Sequence, residues 1–229
     1  MFYHFFIPLV EDYNLFNLFK YLTFRAGGAL FTAFAISIFF GPRLIRLLKK
    51  IQKNGQPIRT DGPKSHLINK VGTPTMGGML ILISLFISIL LWTDLSSKVV
   101  WLIFSITISF GLIGALDDYK KIKSNSSEGI KSTHRLFLEF SIAFIFIYFF
   151  NTIIDDQLQN IVFIPFTKGL YLDLGSFYYL FAAIVIVGSA NSVNLTDGLD
   201  GLAIGPIMIT ALSFAFITYF TGNSIYSEY

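Results

Sequence analysis

Long apolar runs separated by short polar and basic segments organise the chain. Arg25 and Arg43 flank 17 uncharged residues, Lys70 and Asp94 flank 23, and Lys98 and Asp117 flank 18. Asp173 and Asp197 flank another 23, and Asp200 and Glu228 flank 27. A further run from Leu136 to Ile154 is interrupted by Glu139 alone. Each run is close to the ~20 residues that a helix needs to cross the hydrocarbon of a bilayer. Within lipid a helix satisfies its own backbone, which an open strand does not. The pattern predicts an all-α, polytopic membrane protein, one membrane domain over 1–229, with six spans at about 22–42, 74–93, 99–116, 136–154, 176–193 and 202–221.

The segments between the spans differ in character. Tyr13 to Tyr21 reads as a short amphipathic helix lying in the membrane interface. Asp155 to Gly175, with Pro165, Gly169 and Gly175, reads as an external connection holding a short strand or hairpin. The first residues are no signal peptide, because they lack a basic start and Glu11-Asp12 interrupts the apolar run.

Composition agrees with the pattern and narrows it. Hydrophobic residues make up 54% of the 229 and charged residues 14%, against roughly 25% charged in a soluble domain. With a mean hydropathy of +0.65 and 17% aromatic residues, neither a water-soluble globule nor a disordered chain is expected. There is no cysteine, which excludes disulfides, thiolate metal sites and a cysteine nucleophile.

The net charge of +3 hides an asymmetry. Eight of the 17 Lys and Arg residues lie between Arg43 and Lys70 and five between Asp117 and Arg135, accompanied only by the acids Asp61, Asp117, Asp118 and Glu128. Basic loops stay in the cytoplasm. Loops at about 43–73, 117–135 and 194–201 are therefore expected inside, and the N-terminus outside. Arg43, Arg46, Lys49, Lys50 and Lys53 read as a belt for anionic headgroups.

Three polar clusters at the expected cytoplasmic side carry the candidate chemistry. Asp117-Asp118 closes the third span, with Lys121 at i+4 of Asp117. One carboxylate can face a ligand while the other braces a loop, or the pair is an interfacial cap. In Asn191-Ser192-Val193-Asn194-Leu195-Thr196-Asp197-Gly198-Leu199-Asp200-Gly201, the residues Asn191, Asn194 and Asp197 recur every three positions and place oxygen donors along one helix face. Such donors suit Mg²⁺, and Gly198 and Gly201 permit a sharp turn. The third cluster runs from Asp61-Gly62-Pro63-Lys64-Ser65-His66 to Lys70-Val71-Gly72-Thr73-Pro74-Thr75-Met76-Gly77-Gly78. Pro74 is expected near the start of the second helix, whose positive end would join Lys70 in holding a phosphate.

The run Gly72 to Gly78, the pair Asp117-Asp118 with Lys121, and the run Asn191 to Gly201 together resemble the signatures of the polyprenyl-phosphate N-acetylhexosamine-1-phosphate transferase superfamily. The resemblance covers the whole chain in order and spacing, and the stretch Asp61 to Gly78 resembles its peptidoglycan-forming branch. It implies a multi-pass enzyme of the bacterial cytoplasmic (inner) membrane, its site facing the cytoplasm. It also implies Mg²⁺-dependent transfer of phospho-MurNAc-pentapeptide from UDP-MurNAc-pentapeptide to undecaprenyl phosphate, releasing UMP.

By the same resemblance Asp117, Asp118 and Asp197 are the catalytic residues, and Asp197 with Asn194 holds the metal. Lys70, Thr75, Lys121, Asn191, Asn194, Asp200, Lys131 and His134 bind substrate. Glu139 is expected to pair with Arg135 at i,i+4 or to snorkel. Partners are the nucleotide, the prenyl phosphate and the bilayer; nucleic acid is not expected, and a homodimer is left open. Superfamily members are longer and carry a further aspartate and a histidine-rich loop, so this chain is expected to be an N-terminal portion that is inactive alone. The alternatives are a relative using UDP-GlcNAc and, from another class, an ion-coupled transporter.

Overall fold

A computed structural model describes residues 1–52, 55, 72–124, 126, 128–164, 166–167, 169–197 and 201–222. Lys53, Asp61, Lys64, His66, Lys70, Gly198 and Asp200, all named above, lie outside the described residues. The chain forms two compact units, Met1–Tyr179 and Leu180–Tyr229.

The first unit opens with α1 (Phe2–Phe6) and two 3₁₀ turns, Ile7–Val10 and Asn14–Lys20. Four longer helices follow: α2 (Leu22–Ile51), α3 (Gly78–Trp92), α4 (Lys98–Ser124) and α5 (Ser132–Asn151). A 3₁₀ turn at Asp156–Leu158 leads to an antiparallel hairpin of β1 (Ile161–Phe163) and β2 (Tyr171–Asp173), with Val162 opposite Leu172. The expected hairpin is thus present. Helix α6 (Phe177–Thr196) starts in the first unit and continues into the second, which also holds α7 (Ile204–Thr221).

Helices α2, α4, α5, α6 and α7 are long and apolar enough to cross a membrane, and α3 is apolar but shorter, at 15 residues. Their large side chains face outward: Phe31, Phe34 and Phe39 on α2 are more than half exposed. An apolar surface of this extent is an aggregation liability in water and the ordinary state in lipid. The chain is a multi-pass helical membrane protein.

Several boundaries differ from expectation, and three of them bear on the site. Helix α2 runs through Pro42 to Ile51 instead of stopping at 42. Arg43 donates from Nη1 to the Phe39 carbonyl at 2.7 Å and Arg46 from Nε to the Pro42 carbonyl at 3.2 Å. Both carbonyls lie close to the proline, which itself leaves only the Ile38 carbonyl without its i+4 donor. Helix α4 continues to Ser124, so Asp117-Asp118 lies inside the helix and does not close it. Helix α3 begins at Gly78, leaving Pro74 four residues ahead of it, because the intervening backbone is engaged elsewhere, as described below. The loops read as 43–73, 117–135 and 194–201 are accordingly helical in part.

Helix α2 packs on α3, α3 on α4, and α4 on α5. At the start of α2, Trp92 donates from Nε1 to Thr32 Oγ1 at 2.9 Å. A Cβ on Gly28 would collide with the Trp92 ring, so glycine permits this close helix approach. The segment Asn14–Lys20 is a 3₁₀ turn that packs on its neighbours. Its Phe16 and Phe19 stack on Phe6, and Phe19 stacks on Trp92. In the turn after α3, the hydroxyl and amide of Ser96 donate to Asp94 Oδ1 and hold that carboxyl below its usual range. Asn151 Nδ2 ties the end of α5 to Asn160 Oδ1 and Tyr179 Oη at 3.0 and 3.2 Å.

Candidate functional site

Adjacent helix positions point about 100° apart, so Asp117 and Asp118 meet different neighbours. Asp117 is 8% exposed. Its Oδ1 accepts from the Ile130 N–H at 2.7 Å, and its Oδ2 lies 2.6 Å from Lys121 Nζ. Asp118 Oδ2 accepts from Thr75 Oγ1 at 2.6 Å and from the Met76 N–H at 3.2 Å, while its Oδ1 is 3.9 Å from the same Lys121 Nζ. One ammonium group therefore serves both carboxylates. This geometry exists because α4 continues past the pair and puts Lys121 one turn on, at i+4 and i+3.

The loop after α4 folds back to reach Asp117. The Ser126 N–H donates to the Lys121 carbonyl at 3.2 Å and the Glu128 N–H to Ser126 Oγ at 3.1 Å. Gly129 then lies directly against Asp117, where an added Cβ would stand 2.6 Å from the carboxylate carbon. Only a residue without a side chain lets the Ile130 amide come this near.

Asp118 is held from the α3 side. Thr75 pairs through its own peptide with the side chain of Gln52, the residue after α2: the Thr75 N–H donates to Gln52 Oε1 at 2.9 Å, and Gln52 Nε2 donates to the Thr75 carbonyl at 3.2 Å. Gln52 is 4% exposed. Met76 has a φ of 70°, left-handed backbone that costs a non-glycine residue about 1–3 kcal/mol and persists where its surroundings over-determine it. Here the bond to Asp118 on one side and the start of α3 on the other, with the Met79 N–H on the Met76 carbonyl at 3.2 Å, set that conformation. It is also why the helix starts at Gly78 and not at Pro74.

On α5, Arg135 donates from Nε to Glu139 Oε1 at 2.8 Å, and Glu139 is 1% exposed. The expected i,i+4 pair is formed, and Arg135 lies within electrostatic reach of Asp117. Lys131, which precedes the first turn of α5, and His134 are exposed.

In the second unit Asn191 donates from Nδ2 to the Val187 carbonyl at 2.9 Å. Asn194 and Asp197 are exposed at the end of α6, and the Asp197 N–H still bonds to the Val193 carbonyl at 3.2 Å. The helical path reaches Asp197 and leaves the two side chains neighbours at i,i+3.

The two acidic sets differ in what they suit. Three oxygens of Asp117 and Asp118 already meet N–H, hydroxyl or ammonium donors, and the fourth is within range of Lys121. That pair is a brace for a cation, and among the described residues no group of three His, Asp or Glu side chains forms a metal cage. The amide of Asn194 and the carboxylate of Asp197 are hard oxygen donors open to solvent. They fit Mg²⁺, which takes one or two protein carboxylates and completes its shell with water and phosphate.

The structure thus brings Thr75, Asp117, Asp118 and Lys121 into one cluster and adds Gln52, Met76, Gly129 and Ile130, which the sequence reading missed. Met76, Gly129 and Ile130 act through backbone position, for which residue type is a weak signal; the glycines around Met76 were the one available hint of a turn.

Residues 100–229 match the model for glycosyl transferase family 4. The phospho-N-acetylmuramoyl-pentapeptide-transferase of Rickettsia montanensis is 49% identical over 229 residues, which is 100% of this chain and 63% of the relative. The enzymes of the same name from Rickettsia massiliae (strain Mtu5) and Rickettsia prowazekii (strain Madrid E) are each 48% identical over the same 229 residues, with the same coverage. The chain therefore spans 63% of the length of these curated relatives.

Proposed function

The chain belongs to glycosyl transferase family 4, and we propose that its protein transfers phospho-MurNAc-pentapeptide from UDP-MurNAc-pentapeptide to undecaprenyl phosphate, giving lipid I and UMP. The observation that carries this reading is the cluster in which Thr75, Asp118, Asp117 and Lys121 are bonded to one another, within a chain 49% identical throughout to a transferase of that name. The reaction brings an anionic phosphate up to a diphosphate, so its main demand is positioning and charge screening.

Lys121 meets that demand. Its side chain is a third exposed and its ammonium is held between two carboxylates, so the charge is presented at one place by a residue that is not buried. Asp117 and Asp118 fix that place, and the Thr75 hydroxyl and Met76 amide fix Asp118. Arg135, anchored by Glu139, adds a second positive charge near Asp117. Asn194 and Asp197 are the residues we assign to Mg²⁺, which when bound supplies charge neutralisation to the phosphates. Lys70, Asn191, Asp200, Lys131 and His134 remain assigned to substrate. The basic loops support a place for the cluster on the cytoplasmic face of the bacterial inner membrane, where a water-soluble nucleotide and a membrane-bound acceptor both arrive.

The test is Mg²⁺-dependent UMP release from UDP-MurNAc-pentapeptide with undecaprenyl phosphate. It is run in membranes carrying the chain alone and in membranes carrying it extended to its relatives' length by the downstream reading frame. Release by the extended form, reduced about 10²-fold or more by Asp117→Asn and by Asp197→Asn, is expected. Release from UDP-GlcNAc in preference, or release indifferent to both substitutions, overturns the reading.

A further inference from the structure

We propose that Gln52 is a positioning residue for the transfer, setting Thr75 against Asp118 through a pair of hydrogen bonds to the backbone N–H and carbonyl of Thr75. This deepens the proposed function and rests on it for its kinetic test. A primary side-chain amide carries a C=O and an N–H side by side, and these can meet the N–H and the C=O that one residue presents from its two flanking peptide groups. Gln52 uses both at once on the same residue, with Oε1 accepting from the Thr75 N–H at 2.9 Å and Nε2 donating to the Thr75 carbonyl at 3.2 Å. Two parallel bonds fix orientation as well as distance.

The pairing holds a stretch that has no regular structure of its own. Residues 72–77 precede α3, and Met76 is in a left-handed conformation that its own chain does not favour. Two partners hold this stretch from outside its own helix. Asp118 takes the Thr75 hydroxyl and the Met76 amide, and Gln52 takes both backbone polar groups of Thr75. Gln52 is itself held, since its N–H bonds to the Leu48 carbonyl at 2.8 Å as the last link of α2, and its carbonyl accepts from the Gly55 N–H at 2.8 Å. At 4% exposure its amide is shielded from water, so removing it leaves the Thr75 N–H and carbonyl with no partner of matching geometry. The chain of contacts runs from α2 through Gln52 and Thr75 to Asp118, and from Asp118 to Lys121.

Three variants of the extended enzyme test this: Gln52→Met, which keeps length and loses both bonds; Gln52→Glu, which keeps the acceptor and turns an anion toward the Thr75 carbonyl; and Thr75→Ala. We expect Gln52→Met and Gln52→Glu to lower kcat about 10- to 100-fold, as displacement of a site by about 1 Å does, with KM for the nucleotide within threefold. In the Thr75→Ala background, Gln52→Met is expected to add less than twofold. A kcat within twofold of the unsubstituted enzyme, or losses that multiply with Thr75→Ala, overturns the proposal. Because the protein has no cysteine, a second readout needs no activity: the alkylation rate of Thr75→Cys is expected to rise at least tenfold when Gln52→Met is added. An unchanged rate overturns the positioning role, whereas absence of UMP release from the unsubstituted enzyme counts against the functional reading alone.

Discussion

Asp117 and Asp118 share a sequence step and have separate duties. Asp117 binds the returning loop through Ile130, Asp118 binds the approach to α3 through Thr75 and Met76, and Lys121 joins them. The tightest steric condition in the cluster is at Gly129, where a side chain would enter the Asp117 carboxylate. Gly129→Ala forces the loop to lift, removing the Ile130 amide from Asp117 and freeing Lys121 to move with the carboxylate. Transfer activity is expected to fall about 10²-fold, while far-UV circular dichroism and the detergent Tm stay near those of the parent, because no helix is altered. Activity within twofold of the parent would show that the loop contact is dispensable.

The informative element is α5, an apolar helix with an ion pair in its first two turns. Glu139 is 1% exposed and bonded to Arg135. A buried charge without its partner is costly, while replacing both members by apolar residues is often neutral. Arg135→Leu, which takes the ion-pair partner from buried Glu139, is therefore expected to destabilise the protein by about 3 kcal/mol, and adding Glu139→Leu to it to recover most of that loss, as measured by unfolding in mixed micelles. If the double variant is as unstable as the single one, the pair contributes through packing and not through charge. Transfer activity should remain low in both, because Arg135 also lies within electrostatic reach of Asp117.

For the whole molecule, the strongest constraint is the distribution of charge along the chain. Thirteen of 17 basic residues fall in two segments, 43–70 and 117–135, and the rest of the chain carries ten acids against four basic residues. The loop after α4 and the hairpin of β1 and β2 lie beyond opposite ends of α5, so the two are expected on opposite sides of the membrane. In intact cells, an impermeant thiol reagent is expected to label Thr167→Cys in the hairpin turn and to spare Ser126→Cys until the membrane is opened. The natural chain supplies no competing thiol. The reverse pattern would place the Lys121 cluster outside and away from any cytoplasmic nucleotide.

Charge-free runs of sufficient length dictate helices in lipid whatever their neighbours, so the six apolar helices, the hairpin after α5 and the i,i+4 pairs Asp117–Lys121 and Arg135–Glu139 could be read from the chain alone. The signatures around Thr75, Asp117 and Asp197 were legible for the same reason, being local in sequence. Helix ends were not, because α2 continues through Pro42 and Pro74 is passed over when Thr75 and Met76 bond elsewhere. Nor were Gln52, Gly129 and Ile130, whose partners lie 23, 12 and 13 residues away. Only packing brings such residues together: a peptide group offers the same donor and acceptor everywhere along the chain, and tertiary structure alone decides which carboxylate or amide it meets.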